Sequence, residues 1–198
     1  MIVAPACTIQ FQPKDTAIST EALPKATANI LPGQQWSDLV SSGHIAVIQQ
    51  PIGQVNAVAG GIHMLRLEVG GVKGLIVDGN IRDQRELRSL NLPVRYSSTT
   101  DIGKKLIGET YTRGVSSVAT GAESKLWAIQ VPVTISDVLV QPGDVICIDQ
   151  VEGVVAVPQK LFSEVLDWLK KRGASEDKII AAVRSGSTVQ AAFAAHRH

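Results

Sequence analysis

Two carboxylates and an arginine stand just beyond an apolar strand in the stretch Asp78-Gly-Asn-Ile-Arg-Asp-Gln-Arg-Glu86. In α/β sheets, ligands collect outside the carboxyl ends of strands. With a helix beginning at Arg82, Asp83 and Glu86 share its first-turn face, where negative charge also complements the helix dipole. Two carboxylates on one face with few lysines nearby can hold a hard divalent cation such as Mg²⁺, which takes one or two carboxylates and keeps several waters. A solvated helix start with an Arg82–Glu86 pair fits the same residues, and spacing alone favours that plainer account.

A second candidate is Ala59-Gly-Gly-Ile-His63, at the start of another helix. Paired glycines let a ligand approach the backbone, and the free amides of a helix start attract a carboxylate or phosphate. The stretch is neither a GxGxxG nor a Walker loop. Taken alone, its glycines are better explained by close helix–strand packing. Other chemistries find less support. His44, His63, His196 and His198 lack the cluster spacing of a zinc site, and no Gly-x-Ser-x-Gly elbow is present. Lys73 is the one suggestive Schiff-base lysine, and a surface turn accounts for it. Cys7 and Cys147 have no CxxC spacing and lie in apolar strands, where buried, inert thiols are expected.

The elements that must position these residues follow from periodicity. Ile2 to Phe11 is a strand-like run interrupted by Pro5, and Gln12 to Ser42 reads as a long loop. A strand over His44 to Gln50 is followed by a helix from Asn56 to Val69, with apolar residues three and four apart and a stop at Gly70-Gly71. Gly74 to Gly79 is a buried strand, and a short helix runs from Ile81 to Leu90. This alternation predicts parallel pairing. Tyr96 to Ser124 shows no clean period. Short strands over 126–133, 138–140, 144–149 and 153–157 predict antiparallel sheet, and helices follow over 161–172, 176–184 and 189–196, the last two capped by Ser175 and by Ser187 or Thr188.

The 198 residues are 44% hydrophobic and 19% charged, with a formal charge of +1. That size buries a core, and the even charge argues against a nucleic-acid surface, which needs clustered Lys and Arg. No apolar run reaches membrane-spanning length, and the start shows no basic region followed by an apolar one. A soluble, cytoplasmic α/β protein is expected.

One spacing joins the two candidates. Gly61, twenty residues, Arg82-Asp83, two residues and Glu86 resembles the Gly-x20-Arg-Asp-x2-Glu/Asp pattern of the RraA-like family, whose active members are 4-hydroxy-4-methyl-2-oxoglutarate (HMG) aldolases that also decarboxylate oxaloacetate. Gly74 to Asp83, Leu92-Pro-Val94, Pro142-Gly-Asp144 and Asp149 through Pro158 fall in the family's order, and Glu123 and Val189 to Phe193 resemble a subgroup with a longer C-terminal helix region. The resemblance implies a compact, layered α/β/β/α fold of the swivelling-domain type with mixed sheets. It implies a single domain over 1–198 with C-terminal helices at 159–196, assembled as a homotrimer or hexamer with active sites between subunits. It also implies a small 2-oxo acid substrate, with Mg²⁺ or Mn²⁺ held by Asp83 directly and by Glu86 through water. Arg82 is then catalytic, and Gly60, Gly61, Ile62 and His63 bind substrate, the last two through their amides. An acidic group from the neighbouring subunit assists proton transfer. A non-catalytic regulator on the same scaffold, or a retro-aldol or decarboxylating enzyme of a specialised pathway, is the alternative, since the family includes ribonuclease inhibitors.

The chain departs from the family pattern in three places. It begins almost on its first strand, without the one or two helices usual ahead of it. A polar stretch over 95–112, an insertion or unspliced sequence, separates Pro93-Val94 from Arg113-Gly114. Ile62 stands where the family often has an acidic residue.

Overall fold

A computed structural model describes residues 1–14, 27–87, 89–90, 110–149 and 151–197, the side chains of 110–113 excepted. The chain divides into two compact units, Met1–Pro158 and Gln159–His198.

The first unit is built on strand β1 (Ile2–Pro13), which changes partner along its length. Residues Ile2 to Pro5 pair antiparallel with β9 (Val145–Asp149), and Ala6 to Gln10 pair parallel with β2 (Ile45–Gln49). Pro5 therefore does not interrupt the strand; it falls where one pairing run ends, and its missing N–H is tolerated there. Strand β4 (Gly74–Ile81) lies parallel to β2, to β3 (Ala57–Ala59) and to β5 (Thr110–Val115). Strand β6 (Ser124–Ile129) runs antiparallel to β1, and β10 (Gly153–Val157) antiparallel to β9. A separate antiparallel hairpin joins β7 (Val133–Ile135) to β8 (Val138–Val140). The parallel first half and antiparallel second half match the sequence expectation. The expected insertion at 95–112 lies outside the described residues up to 109, and its last three residues open β5.

The central strands are buried on both faces, as parallel strands under two layers must be. Alternation divides their side chains into two cores. Cys7, Ile9, Phe11, Ala46, Ile48, Leu75 and Val77 pack with Trp36 of α1 (Trp36–Leu39) and with Met64 and Leu67 of α2 (Gly61–Val69). Ala4, Ala6, Ile45, Val47 and Ile76 pack with Val133 and Val140 of the hairpin and with Ile146 and Ile148 of β9. Helix α1 lies inside the stretch expected to be loop; a single turn is too short to show a period. A cavity of about 170 Å³ opens on the hairpin face, lined by Val47, Ile76, Ile135, Val138, Val140 and Ile146 among others.

The second unit begins with a 3-10 turn (Gln159–Leu161) and continues as α4 (Phe162–Arg184) and α5 (Val189–His196). Helix α4 is one helix of 23 residues where two were expected. Gly173 costs only about 1 kcal/mol in a helix interior and does not break it. Ser175, expected as a cap, sits within α4 and donates its hydroxyl to the His196 carbonyl of α5. Thr188 is the cap of α5, its Oγ1 accepting the Ala191 N–H at 3.2 Å.

Candidate functional site

The two sequence candidates meet because of a strand register. Ala59 at the end of β3 pairs with Ile81 at the end of β4, in parallel. The next residues, Gly60-Gly61 and Arg82-Asp83, therefore leave the sheet side by side. The Arg82 N–H donates to the Ala59 carbonyl at 3.0 Å, and the Gly61 N–H donates to Asp83 Oδ2 at 2.9 Å. The spacing of 22 residues between Gly61 and Asp83 is thus the length of one crossover, β3–α2–β4.

Both local helix readings need correction. Residues 57–59 form β3, not the first turn of a helix, and α2 begins at Gly61. Ala57, Val58 and Ala59 are wholly buried, and pairing with β4 overrides a short apolar period that fits either structure. Helix α3 is a single turn, Gln84–Leu87, so Arg82 does not begin it. Asp83 stands ahead of α3 with φ 62°, its carbonyl accepting the Leu87 N–H at 3.1 Å. Aspartate is among the few residues that enter this left-handed region readily. Asp83 and Glu86 are consequently gathered around Gly61 and not along a helix face. A Cβ on Gly61 would lie 3.3 Å from Glu86 Cβ and 3.6 Å from Asp83 Cβ. Gly60 is extended, so it is needed for space alone: a Cβ there would lie 2.5 Å from Asp83 Oδ2 and 2.8 Å from Arg82 Nε.

Asp83 Oδ2 also lies 3.3 Å from Arg82 Nε, with the two side chains 37% and 38% exposed. One carboxylate oxygen therefore orients the guanidinium and occupies the first amide of α2. Helix α2 has no side-chain cap of its own, and its first internal bond runs from the Met64 N–H to the Gly60 carbonyl. The Ile62 and His63 amides have no acceptor within the helix and form the positive end of its dipole. At the other end, the Val72 and Gly71 N–H groups close onto the Leu67 and Glu68 carbonyls, with Gly71 at φ 72°, which stops α2 where the sequence indicates.

His63 packs against α1. Its ring stacks on Trp36 with centroids 5.0 Å apart, and its Nδ1 lies 3.0 Å from Ser37 Oγ. Burial, then the nearby Arg82 charge, push its pKa below the ordinary imidazole value, against a smaller opposing effect of Asp38. Asp38 accepts from Arg66 Nε of α2 at 2.7 Å.

Apart from Glu123, sequence reasoning misses the polar support beneath the site. Gln50 Oε1 accepts the Asn80 N–H at 2.8 Å, while its amide donates to the Asn56 carbonyl at 2.7 Å. Ser124 Oγ lies 2.9 Å from Asn56 Oδ1 and also contacts Gln54 Oε1, its single hydrogen serving one of these acceptors at a time. Glu123 Oε2 accepts the Val55 N–H at 2.7 Å. These contacts hold the exit of β4 two residues before Arg82. The signal available was composition alone, Gln49-Gln50 closing an apolar strand and Asn56 opening the next. Asp78, from the suggestive stretch, is not part of the site. It shares the hairpin face with Ile76, and its Oδ2 accepts the Ser136 N–H at 3.3 Å.

Among the described residues no cluster of three or more His, Cys, Asp or Glu is arranged for a metal. The donors at hand are the Asp83 and Glu86 carboxylates, both solvent-accessible. Asp83 Oδ1 has no protein partner among the described residues. That set suits a hard divalent cation that keeps most of its water, and not zinc. Cys7 offers no alternative chemistry: it is buried, and burial pushes its thiol up to about 11. Cys147 is only half-buried, with its pKa raised in the same direction. No helix among the described residues is long and apolar enough to cross a membrane.

The neighbouring parallel strands of this mixed α/β sheet end in Gly-Gly and in Arg-Asp-x2-Glu, the spacing that resembles the aldolase/RraA class of proteins. The chain belongs to the RraA-like family, described as Aldolase/RraA, whose profile matches residues 1–156. A Halalkalibacterium halodurans protein named "Putative 4-hydroxy-4-methyl-2-oxoglutarate aldolase" is 26% identical over 89% of this chain and 69% of its own length. Protein DlpA of Legionella pneumophila is 28% identical over 96% of this chain, which spans 27% of that larger protein. Among solved structures, an uncharacterized protein from Pseudomonas syringae pv. tomato has a TM-score of 0.67 at 27% identity, covering 96% of this chain and 77% of that one. Streptomyces coelicolor RraAS2, described as an unusual member of the RNase ES inhibitor RraA family, has a TM-score of 0.64 at 24% identity, covering 89% and 74%, and shares the fold.

Proposed function

We propose that the chain is a divalent-metal-dependent, soluble cytoplasmic lyase. It cleaves 4-hydroxy-2-oxo acids of the HMG type between C3 and C4 to release pyruvate, and it decarboxylates oxaloacetate as a related reaction. The observation that carries this reading is Asp83 Oδ2, which engages the Gly61 amide and Arg82 together. Family membership and the relative named as an HMG aldolase support it.

The Ile62 and His63 amides receive the substrate carboxylate, as anions are received at helix starts. Arg82, oriented by Asp83, lies against the 2-oxo oxygen. As the bond to C3 breaks, its electron pair passes to C3 and spreads onto that oxygen. The guanidinium stabilises the charge where it develops, and protonation at C3 yields pyruvate. A bound Mg²⁺ or Mn²⁺, held by Asp83 directly and by Glu86 through water, would supply Lewis-acid polarisation of the 2-oxo acid. Oxaloacetate loses carbon dioxide through the same enolate, so one site serves both reactions. The base for the 4-hydroxyl comes from a neighbouring subunit, so the proposal includes a trimer or hexamer with sites at subunit boundaries.

Pyruvate release from HMG and from oxaloacetate, with Mg²⁺ and with excess chelator, tests this. Chelator should suppress turnover, and Asp83→Ala or Arg82→Ala should lower kcat/KM by at least about 100-fold with unchanged circular dichroism. Undiminished turnover by Asp83→Ala would sink the assignment.

A further inference from the structure

The Ser37–His63 contact determines where the imidazole carries its proton. Ser37 is 4% exposed, and the only partner of its Oγ among the described residues is His63 Nδ1. A buried hydroxyl must place its hydrogen on an acceptor or lose a hydrogen bond without compensation. Nδ1 is the acceptor available, so it is unprotonated, and the proton of the neutral ring sits on Nε2. The stack on the buried Trp36 fixes the plane of the ring, and the Ser37 contact fixes which edge faces α1.

The direction of the ring follows from the helix. His63 is the third residue of α2, and helical side chains lean toward the N-terminus. That end of α2 holds the free Ile62 and His63 amides and the Arg82 guanidinium. The Arg82 charge is close enough to act on His63 electrostatically, as is Asp38 from the other side, itself paired with Arg66. No described residue accepts from Nε2.

We infer that His63 is a substrate-contacting residue, whose Nε2–H donates a hydrogen bond to the 2-oxo-acid head received by the α2 amides, in the tautomer set by Ser37. The inference rests on the lyase reading for the identity of the ligand, and on the Ser37–His63–Trp36 geometry for the donor. A neutral donor suits this place. It adds a hydrogen bond beside Arg82 without a second cation to repel the first. It also stands next to Ile62, which contributes no polar side chain.

Side-chain ¹⁵N NMR of the full chain, well above the ordinary imidazole pKa, reads the tautomer directly, with His63→Gln assigning the resonance. The expected result is Nε2–H in the wild type and a mixture of tautomers in Ser37→Ala. Pyruvate with Mg²⁺ should shift the Nε2–H signal. In turnover, His63→Asn keeps a polar group near Ser37 but lacks the distal donor, and should raise KM about 10- to 100-fold. His63→Gln, which extends an amide N–H toward the Nε2 position, should recover most of that loss. An Nδ1–H ring, a signal indifferent to pyruvate, or wild-type kinetics in His63→Asn would each overturn the inference while leaving the lyase reading standing. A ring that is Nε2–H and answers to pyruvate, in a protein with no turnover, would keep the contact and overturn the lyase reading.

Discussion

The junction where β3 and β4 leave the sheet and the helical unit of α4 and α5 are held by opposite kinds of contact. At the junction, the partners are far apart in sequence: 22 residues for Gly61 and Asp83, 68 for Ser124 and Asn56, and 74 for Ser124 and Gln50. In the helical unit, Thr188 caps the amide three residues on, and Arg172 pairs with Glu176 one turn away. The junction buries the polar groups beneath it, Gln50, Asn56 and Ser124, and leaves little room: a single Cβ on Gly60 would overlap two side chains. In the helices only Ile179 and Ala192 are buried, and Trp168, Leu169 and Val189 are exposed. Long-range, close-packed contacts form all together or not at all, whereas each local contact adds a small, separable amount. Substitutions at the junction should therefore have large, coupled effects, and those in the helices small, additive ones.

Gly60→Ala should break the junction most severely. Its Cβ would displace Asp83 and Arg82, lowering lyase kcat/KM by at least about 100-fold, with overpacking costing about 1–3 kcal/mol in a urea titration. Full activity in that variant would mean that Asp83 and Arg82 need not occupy these positions. Ser124→Ala removes one partner of a buried network: Gln54 Oε1 loses the hydroxyl donor, while Asn56 Oδ1 keeps the Gln50 amide at 3.1 Å. It should cost about 1–3 kcal/mol by denaturant unfolding, although Ser124 itself touches no proposed substrate. Thr188→Ala removes a cap and should cost about 1 kcal/mol, seen as faster amide exchange at the start of α5 with unchanged turnover. At the bottom of the scale, Glu176→Gln loses one exposed pair, and a shift in stability beyond about 0.5 kcal/mol would show that α4 is less independent than its local contacts indicate.

How legible each region was follows from the same difference. Alternation and turn residues are enough to find β2, β9 and β10 to within a residue and the start of β4, because each carries its period or its punctuation locally; β4 runs two residues further, through Ile81. The division into a parallel half and an antiparallel half was equally visible. Strand β3 was not: its three residues were absorbed into a helix whose period they happened to continue, and only pairing with β4 makes them a strand. The extent of α3 is overread for a related reason: aspartate tolerates the left-handed region, but only the contact with Gly61, 22 residues away, shows that Asp83 enters it. Helix α1 lay in a stretch read as loop, yet its Trp36 and Ser37 are what hold His63. In α4 the difference runs the other way: two helices with a Ser175 cap between them are expected, and one helix continues through.

For the candidate site, the residue types and their spacing are in the sequence, and resemblance to the RraA-like family joins them. The physical meaning of the spacing was not in the sequence. Sequence by itself determined which strands could be buried, which residues could bear chemistry, and the length of the crossover between Gly61 and Asp83. Tertiary structure decided that β3 and β4 end in register, that Asp83 caps a helix other than its own, and that Ser37 meets His63 Nδ1. Each of these depends on groups tens of residues apart meeting within about 3 Å, the range at which hydrogen bonds form. Local patterns constrain only a few residues at a time, and contacts of that kind exist only once the sheet has brought its strands together.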